Sequence, residues 1–106
     1  MKTYYVAIFT SQRTEHNSER YESMSDNLVE LVKTQPGFIR IESVRNSEGY
    51  GVTISYWESL EAIQKWKANT THQVAQQKGK EMWYSQYNMQ ICKVVREYSF
   101  KGIDLS

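Results

Sequence analysis

The segment "TYYVAIFTSQR", residues 3–13, restricts the fold of this 106-residue chain more than any other stretch. Its β-branched and aromatic residues predict a strand, and alternate side chains of a strand point to opposite faces. Both faces are apolar here: one carries Tyr4, Val6 and Ile8, and the other carries Tyr5, Ala7 and Phe9. A strand of this kind has to be covered on both sides.

The next two segments predict a helix and a hairpin. "NSERYESMSDNLVELVKTQPGF" opens with Asn17 as a helix N-cap, spaces its apolar residues at three and four, and stops at Pro36-Gly37. "FIRIESVRNSEGYGVTISYW" contains two alternating runs joined by turn residues 46–49. An amphipathic helix followed by a β-hairpin is therefore expected.

A second helix and a last strand complete the pattern. Ser59 is a typical N-cap, and Leu60, Ile63 and Trp66 share one face of the helix that follows. We expect a bend at "NTTH", residues 69–72, and a helical continuation through Trp83. The run "YNMQICKVVREYSF", residues 87–100, returns to a strand pattern.

The element order β, α, β, β, α, β predicts an α+β, ferredoxin-like domain with a four-stranded antiparallel sheet and both helices on one face. We expect a single domain over residues 1–100 and a C-terminal tail over 101–106. Because the first strand is apolar on both faces, the sheet face without helices needs a partner. The usual partner is a second copy of the chain, so a homodimer through that face is predicted.

Charge and composition exclude several classes of protein. Thirteen Lys and Arg residues against 12 Asp and Glu residues give a formal net charge of +1, which disfavours nucleic acid as a partner. No apolar run approaches the roughly 20 residues that span a bilayer, so no membrane partner is expected, and we predict a cytoplasmic protein. The single cysteine, Cys92, excludes an intrachain disulfide and a cysteine-clustered zinc site.

An ordered set of segments resembles a known family. The set consists of "YYVAIFTSQR", "QPGF" between the first helix and the second strand, and "GVTISYWESLEAIQKWK" running into the second helix and followed by His72. Together they are similar to the antibiotic biosynthesis monooxygenase domain of the dimeric α+β barrel superfamily, over nearly the whole chain. The resemblance implies a dimeric barrel. Members include cofactor-independent oxygenases acting on quinols or anthrones, haem-degrading enzymes, and proteins with no known reaction.

The resemblance also implies a pocket between the sheet and the helices of each subunit. Trp66 lies where the oxygenases of the family commonly have a helical tryptophan, which makes it a candidate pocket wall. Helical spacing by itself favours simple core packing for such a residue. Both interpretations of Trp66 stay open at this point.

His72 is the candidate catalytic residue, because a histidine can accept or donate a proton near neutral pH. Its sequence context also fits an ordinary position early in a helical segment. Further candidate contacts to a substrate are Tyr56, Asn69, Tyr84 and Arg13, although no spacing among them proves that they converge.

We expect no cofactor and no metal, since the chain lacks GxGxxG, HExxH, GxSxG and P-loop motifs. Haem is disfavoured: the iron ligand of the haem-degrading branch would fall in "VAQQK", which has no histidine, and the first strand lacks the asparagine of those enzymes. The leading hypothesis is a cofactor-free oxygenase that combines O2 with a planar aromatic substrate. The alternatives are a non-catalytic dimeric module that binds a small molecule and, third, a haem-degrading enzyme.

Overall fold

The six predicted elements are all present, in the predicted order. The computed structural model describes residues 3–15, 18–76 and 83–103, and at 18 and 71–76 it describes the backbone alone. Neither helix has the length and apolar content needed to cross a membrane, over the residues described. The elements are β1 (Tyr5–Arg13), α1 (Ser18–Val32), β2 (Phe38–Arg45), β3 (Tyr50–Trp57), α2 (Leu60–Gln76) and β4 (Tyr84–Lys93).

The four strands form one sheet in the order β2-β3-β1-β4, and every pair is antiparallel. β1 lies in the interior of the sheet, where its residues pair with β3 on one side and β4 on the other. Tyr5 is opposite Trp57 of β3 and Lys93 of β4. This order is that of the split βαβ arrangement, so the predicted ferredoxin-like α+β fold is confirmed.

The core lies between the sheet and the two helices. Ala7 and Trp57 from the sheet pack with Val32 of α1 and Ile63 of α2, and Val32 and Trp57 have no exposed surface. The Trp57 indole nitrogen donates a 2.8 Å hydrogen bond to Ser55 Oγ, so this polar atom is satisfied inside the core. Trp57 thus packs the end of β3 against both helices.

The opposite face of the sheet, here called the outer face, carries neither helix. Strand alternation places on it the residues next in sequence to those of the core. Its side chains include a contiguous apolar group from three strands: Val6, Ile8, Val44, Val52 and Ile54. Both faces of β1 are therefore apolar, as the sequence predicts, and one of them has no helix against it.

The turn predictions are confirmed where the structure describes them. Asn46 Oδ1 accepts hydrogen bonds from the backbone nitrogens of Glu48 (3.0 Å) and Tyr50 (2.9 Å), which closes the hairpin turn. Gly49 has a φ of 92°, a conformation that glycine adopts without steric cost. The predicted cap Asn17 lies outside the described residues.

Helix α2 differs from its prediction in two ways. It starts as predicted, because Ser59 Oγ accepts a 3.1 Å hydrogen bond from the Ala62 nitrogen. The interruption expected at "NTTH" is absent: α2 continues to Gln76, and Thr70 Oγ1 donates to the Lys67 carbonyl at 2.9 Å within it. Leu60, expected on the inward face, is 53% exposed because it opens the first turn beyond the edge of the core. The predicted continuation over residues 77–82 lies outside the described part of the chain.

The last strand is displaced from its predicted bounds. β4 begins at Tyr84 rather than residue 87 and ends at Lys93 rather than residue 100. The reason is length: Lys93 is already opposite Tyr5, the first residue of β1, and beyond it a single backbone hydrogen bond, from the Val94 nitrogen to the Tyr4 carbonyl oxygen (3.0 Å), continues the pairing among the described residues. Residues 94–103, here called the arm, have no regular secondary structure, and Val95, Tyr98, Phe100 and Ile103 are 83–93% exposed.

Replacement of Trp57 by alanine should destabilise the protein by about 3 to 5 kcal/mol, because a fully buried indole is lost and Ser55 loses its partner. Leu60→Ala, at a half-exposed position, should cost less than about 1 kcal/mol. Urea unfolding followed by circular dichroism measures both values. Equal losses in the two variants would contradict the assignment of Trp57 to the core.

Candidate functional site

Trp66 lies on α2 at the edge of the core. Its ring centroid is 6.2 Å from that of Trp57, with an interplanar angle of 32°, and the side chain is partly buried against the core. Asn69, one turn later on the same helix, is also partly buried. His72 follows in the helix, and its side chain lies outside the described residues, so its predicted role stays a prediction.

Tyr56 lies on the other side of the sheet from Trp66. Its neighbour Trp57 points into the core, so Tyr56 points to the outer face. There its ring contacts Arg40, whose Cζ is 4.0 Å from the ring centroid, and Tyr4, at a centroid distance of 6.3 Å. The structure does not bring Tyr56 together with the other predicted site residues.

Arg13 and Tyr84 do come together, through a residue that sequence reasoning did not select. Tyr21 of α1 lies between them: Arg13 Cζ is 3.9 Å from the Tyr21 ring centroid, and the Tyr84 hydroxyl donates to the Tyr21 hydroxyl at 3.3 Å. Arg13 also donates to the carbonyl oxygen of Trp83. The end of β1 and the start of β4 are thereby joined to the first half of α1.

Arg45, at the end of β2, reaches the same place from across the sheet. Its Nη2 donates to Ser11 Oγ at 2.8 Å and to the Tyr21 hydroxyl at 3.2 Å. Arg45, Gly51 and Ser11 are in one cross-strand row, and the guanidinium lies over Gly51. A Cβ atom at position 51 would be 2.6 Å from Arg45 Cζ, so only glycine leaves room for this side chain.

We call Ser11, Arg13, Tyr21, Arg45 and Tyr84 the arginine–tyrosine cluster. The signal in the sequence was Gly51, since a glycine inside a strand often marks a close approach. That signal does not say which side chain approaches. Arg45 and Ser11 are 34 residues apart, and only the strand register unites them.

Aromatic rings line the helix-facing side of the sheet next to this cluster. The ring of Phe9 contacts those of Tyr84 and Tyr87 at centroid distances of 5.5 and 5.7 Å. Tyr21 meets Trp83 edge-on at 5.8 Å. Farther along β4 the same face continues with Met89 and Ile91, and Tyr87, Met89 and Ile91 are each 43–46% exposed. We call the apolar surface formed by Phe9, Tyr87, Met89 and Ile91 the aromatic wall. It is accessible, and it lies beside the polar donors of the arginine–tyrosine cluster.

Burial is the main reason that the pKa of the Tyr84 hydroxyl is raised far above its ordinary value of 10.0, and the hydrogen bond to Tyr21 raises it further. Tyr84 is therefore a neutral phenol at any physiological pH. It acts as a hydrogen-bond donor and not as a base. The proton acceptor for a reaction at this site has to be another group.

Two further features bound the chemistry. Within the described part of the chain, no group of three or more His, Cys, Asp or Glu residues could hold a metal ion. A cavity of about 210 Å³ is lined by Thr10, Ser11, Tyr50, Gln86, Tyr87 and Asn88. Four of these residues share the outer face, while Ser11 belongs to the arginine–tyrosine cluster and Tyr87 to the aromatic wall. The cavity is smaller than a typical pocket for a drug-sized ligand, which is about 300–1,000 Å³.

The raised pKa of Tyr84 predicts a loss of stability at high pH that a Tyr84→Phe variant lacks. Above pH 10 the unfolded chain releases this proton while the folded protein retains it, so the free energy of unfolding falls as pH rises. Below pH 10 Tyr84 is protonated in both states, so its contribution to the free energy of unfolding is fully present. Above pH 10, the free energy of unfolding of the wild type should fall by up to about 1.4 kcal/mol per pH unit more than that of Tyr84→Phe. Urea unfolding from about pH 8 to about pH 11 tests this, and parallel stability curves for the two proteins would refute it.

Comparison with known proteins gives a consistent result. Residues 4–78 match the model of the family described as antibiotic biosynthesis monooxygenase. The uncharacterized protein YqjZ of Bacillus subtilis (strain 168) is 42% identical over 98 residues, which cover 92% of this chain and 85% of that protein. The jasmonate monooxygenase ABM of Pyricularia oryzae is 22% identical over 107 residues. That match covers 94% of this chain and 49% of the relative, so the chain spans about half of its length.

Solved structures have the same fold. SnoaB, a cofactor-independent oxygenase from Streptomyces nogalater, superposes with a TM-score of 0.68 at 14% sequence identity. The superposition covers 92% of this chain and 97% of SnoaB. The βαββαβ sheet, the matched family model and the relative at 42% identity lead to one conclusion. The chain belongs to the antibiotic biosynthesis monooxygenase family.

Proposed function

We propose that this protein is a small monooxygenase that oxidises a planar aromatic substrate, such as a quinol or an anthrone, with O2 and without a cofactor. The observation that carries the proposal is the accessible aromatic wall beside the hydroxyl and guanidinium donors of the arginine–tyrosine cluster. Family membership supports the reaction class. The absence of a cofactor is supported by SnoaB, an oxygenase of the same fold that needs none.

For an anthrone the proposed reaction is balanced without any other reagent. Loss of one proton gives an electron-rich anion, which transfers an electron to O2. The carbon radical and superoxide then combine to form a C–O bond, and loss of water leaves a carbonyl group. One oxygen atom is in the product and the other is in water.

In this proposal the protein holds, orients and shields the substrate. The aromatic wall and Trp66 stack against its rings, and His72 accepts the proton. Donors of the arginine–tyrosine cluster bind a polar group of the substrate and so orient its rings on the aromatic wall. An environment with little water favours the encounter of the anion with O2.

The proposal includes a homodimer, with the outer face as its interface. Two apolar surfaces of the described chain have no helix against them: the outer face, where Ile8, Val52 and Ile54 are partly buried, and the exposed side chains of the arm. A two-fold dimer covers the same patch on both copies at once. The cytoplasmic location predicted from the sequence also stays part of the proposal.

Oxygen uptake with menadiol or an anthrone, without added cofactor, tests the proposed activity. We expect a rate proportional to protein concentration, and His72→Gln should lower it if His72 accepts the proton. Binding of these compounds without turnover would favour the non-catalytic module instead. Rates equal to those of buffer across a panel of quinols and anthrones would reject the oxygenase.

Trp66→Phe should remain folded and dimeric, because an apolar ring still packs against Trp57. Turnover should fall by about tenfold or more, since the narrower ring no longer fixes the substrate. Tyr56→Phe is the matched control: it changes one aromatic residue on the outer face and should keep the wild-type rate. Full turnover in a well-folded Trp66→Phe protein would show that Trp66 serves packing alone.

Ile54→Lys should convert the dimer to a monomer, because a charge at the centre of the outer face would be buried in the interface. Gln64→Lys introduces the same side chain at an exposed position of α2 and should leave the dimer intact. Light scattering after size-exclusion chromatography measures the mass of each. A monomeric wild type at micromolar concentration would contradict the proposed interface.

A further inference from the structure

The arginine–tyrosine cluster contains two guanidinium groups around one phenol ring. Arg13 Cζ is 3.9 Å and Arg45 Cζ is 5.9 Å from the Tyr21 ring centroid. Within the described residues, neither group lies within 4.0 Å of a carboxylate, whereas Arg40 on the outer face lies 3.8 Å from Glu42. The partners recorded for the two guanidiniums are carbonyl and hydroxyl oxygens and the face of the ring. Among the described residues, the two like charges thus lie close together with no carboxylate against either of them.

The hydroxyl groups of the cluster add donors to these charges. The Tyr21 oxygen accepts one hydrogen bond from Arg45 Nη2 and one from the Tyr84 hydroxyl. Both of its acceptor positions are then used, which leaves the Tyr21 hydroxyl hydrogen to be donated elsewhere. Tyr84 keeps its own proton, because its pKa is raised mainly by burial.

A third observation comes from Trp83, whose ring packs edge-on against Tyr21. Trp83 is fully buried, and its indole nitrogen has no hydrogen-bond partner in the described structure. A buried N–H group without an acceptor is unfavourable by about 1–3 kcal/mol. Within the described structure, the surroundings of Tyr21 therefore hold two positive charges and one buried N–H group that no acceptor satisfies.

Arg45 is held in this position by a specific feature of the sheet. Its guanidinium can lie across β3 only because position 51 has no Cβ. A glycine inside a strand weakens the strand, and here it allows a cation to reach Ser11 and Tyr21. Substitution at position 51 can thus move the charge without removing it.

From this geometry we propose that the arginine–tyrosine cluster binds the carboxylate group of an aromatic acid whose rings stack on the aromatic wall. Guanidinium groups bind carboxylates through paired hydrogen bonds, and Tyr21 can supply another. The inference rests on the proposed function, because it assigns the charge of the substrate at the same site. It excludes plain, uncharged quinols as the preferred ligands.

Equilibrium binding tests the proposal with two probes of equal shape, 2-naphthoate and 2-naphthamide. Neither is oxidised, so the measurement is independent of turnover. Calorimetric titration of the full chain at low ionic strength should show at least a tenfold preference for the carboxylate. Equal affinity for the two probes, or no binding of 2-naphthoate, would overturn the proposal, even if menadiol were turned over.

Three variants test which residues cause the preference for the carboxylate over the amide. Arg45→Gln removes one charge, and Gly51→Ala displaces the same guanidinium while keeping its charge; each should reduce the preference to about threefold or less. Arg40→Gln is the matched control, since Arg40 also lies over a tyrosine ring, at 4.0 Å, but on the outer face. It should keep the wild-type preference. Retention of the preference in both Arg45→Gln and Gly51→Ala, or an equal loss in Arg40→Gln, would place anion binding elsewhere.

Thermal melting of each variant separates a local effect from loss of the fold. If Arg45→Gln does not fold, Gly51→Ala decides the location. The wild-type comparison of carboxylate and amide decides by itself whether the protein selects an anion.

Discussion

The structure depends on one strand that is apolar on both sides. β1 lies in the interior of the sheet, so it pairs along both edges and has to be covered on both faces. The helices cover the face that carries Ala7, and the core forms there around Trp57. The other face is where we propose that a second copy packs, and the same strand ends at Arg13, inside the arginine–tyrosine cluster. Fold, assembly and site thus meet in β1.

Local patterns were enough to predict the architecture. Alternation in the first strand, the cap at Ser59 and the turn at Asn46 to Gly49 each act over a few residues, and all three are present in the structure. The errors arose where local pattern competes with tertiary context. The bounds of β4 follow from the length of its partner β1, and "NTTH" stays helical although the apolar pattern of the sequence is interrupted there.

The candidate site was harder to predict, for a physical reason. Arg13 and Tyr84 were candidates as polar side chains, without a spacing that predicted their convergence, and their meeting depends on Tyr21, which belongs to the apolar spacing of α1. Tyr56 was selected by the same reasoning, yet a shift of one position along β3 places it on the opposite face. Arg45 belongs to the site only through pairing of three strands. Information of this kind lies in the register and not in any short motif.

The crossing of Arg45 over Gly51 makes two positions in the sequence dependent on each other. While Arg45 crosses β3 to reach Ser11, a Cβ atom at position 51 would displace its guanidinium. Once position 45 loses that side chain, the restriction ends, and a β-branched residue, which strands favour, could occupy position 51. In a diverging lineage the two sites should therefore change in a fixed order, the arginine first and the glycine afterwards. A glycine at position 51 of a related sequence would then indicate that its arginine at position 45 still crosses β3 to reach position 11.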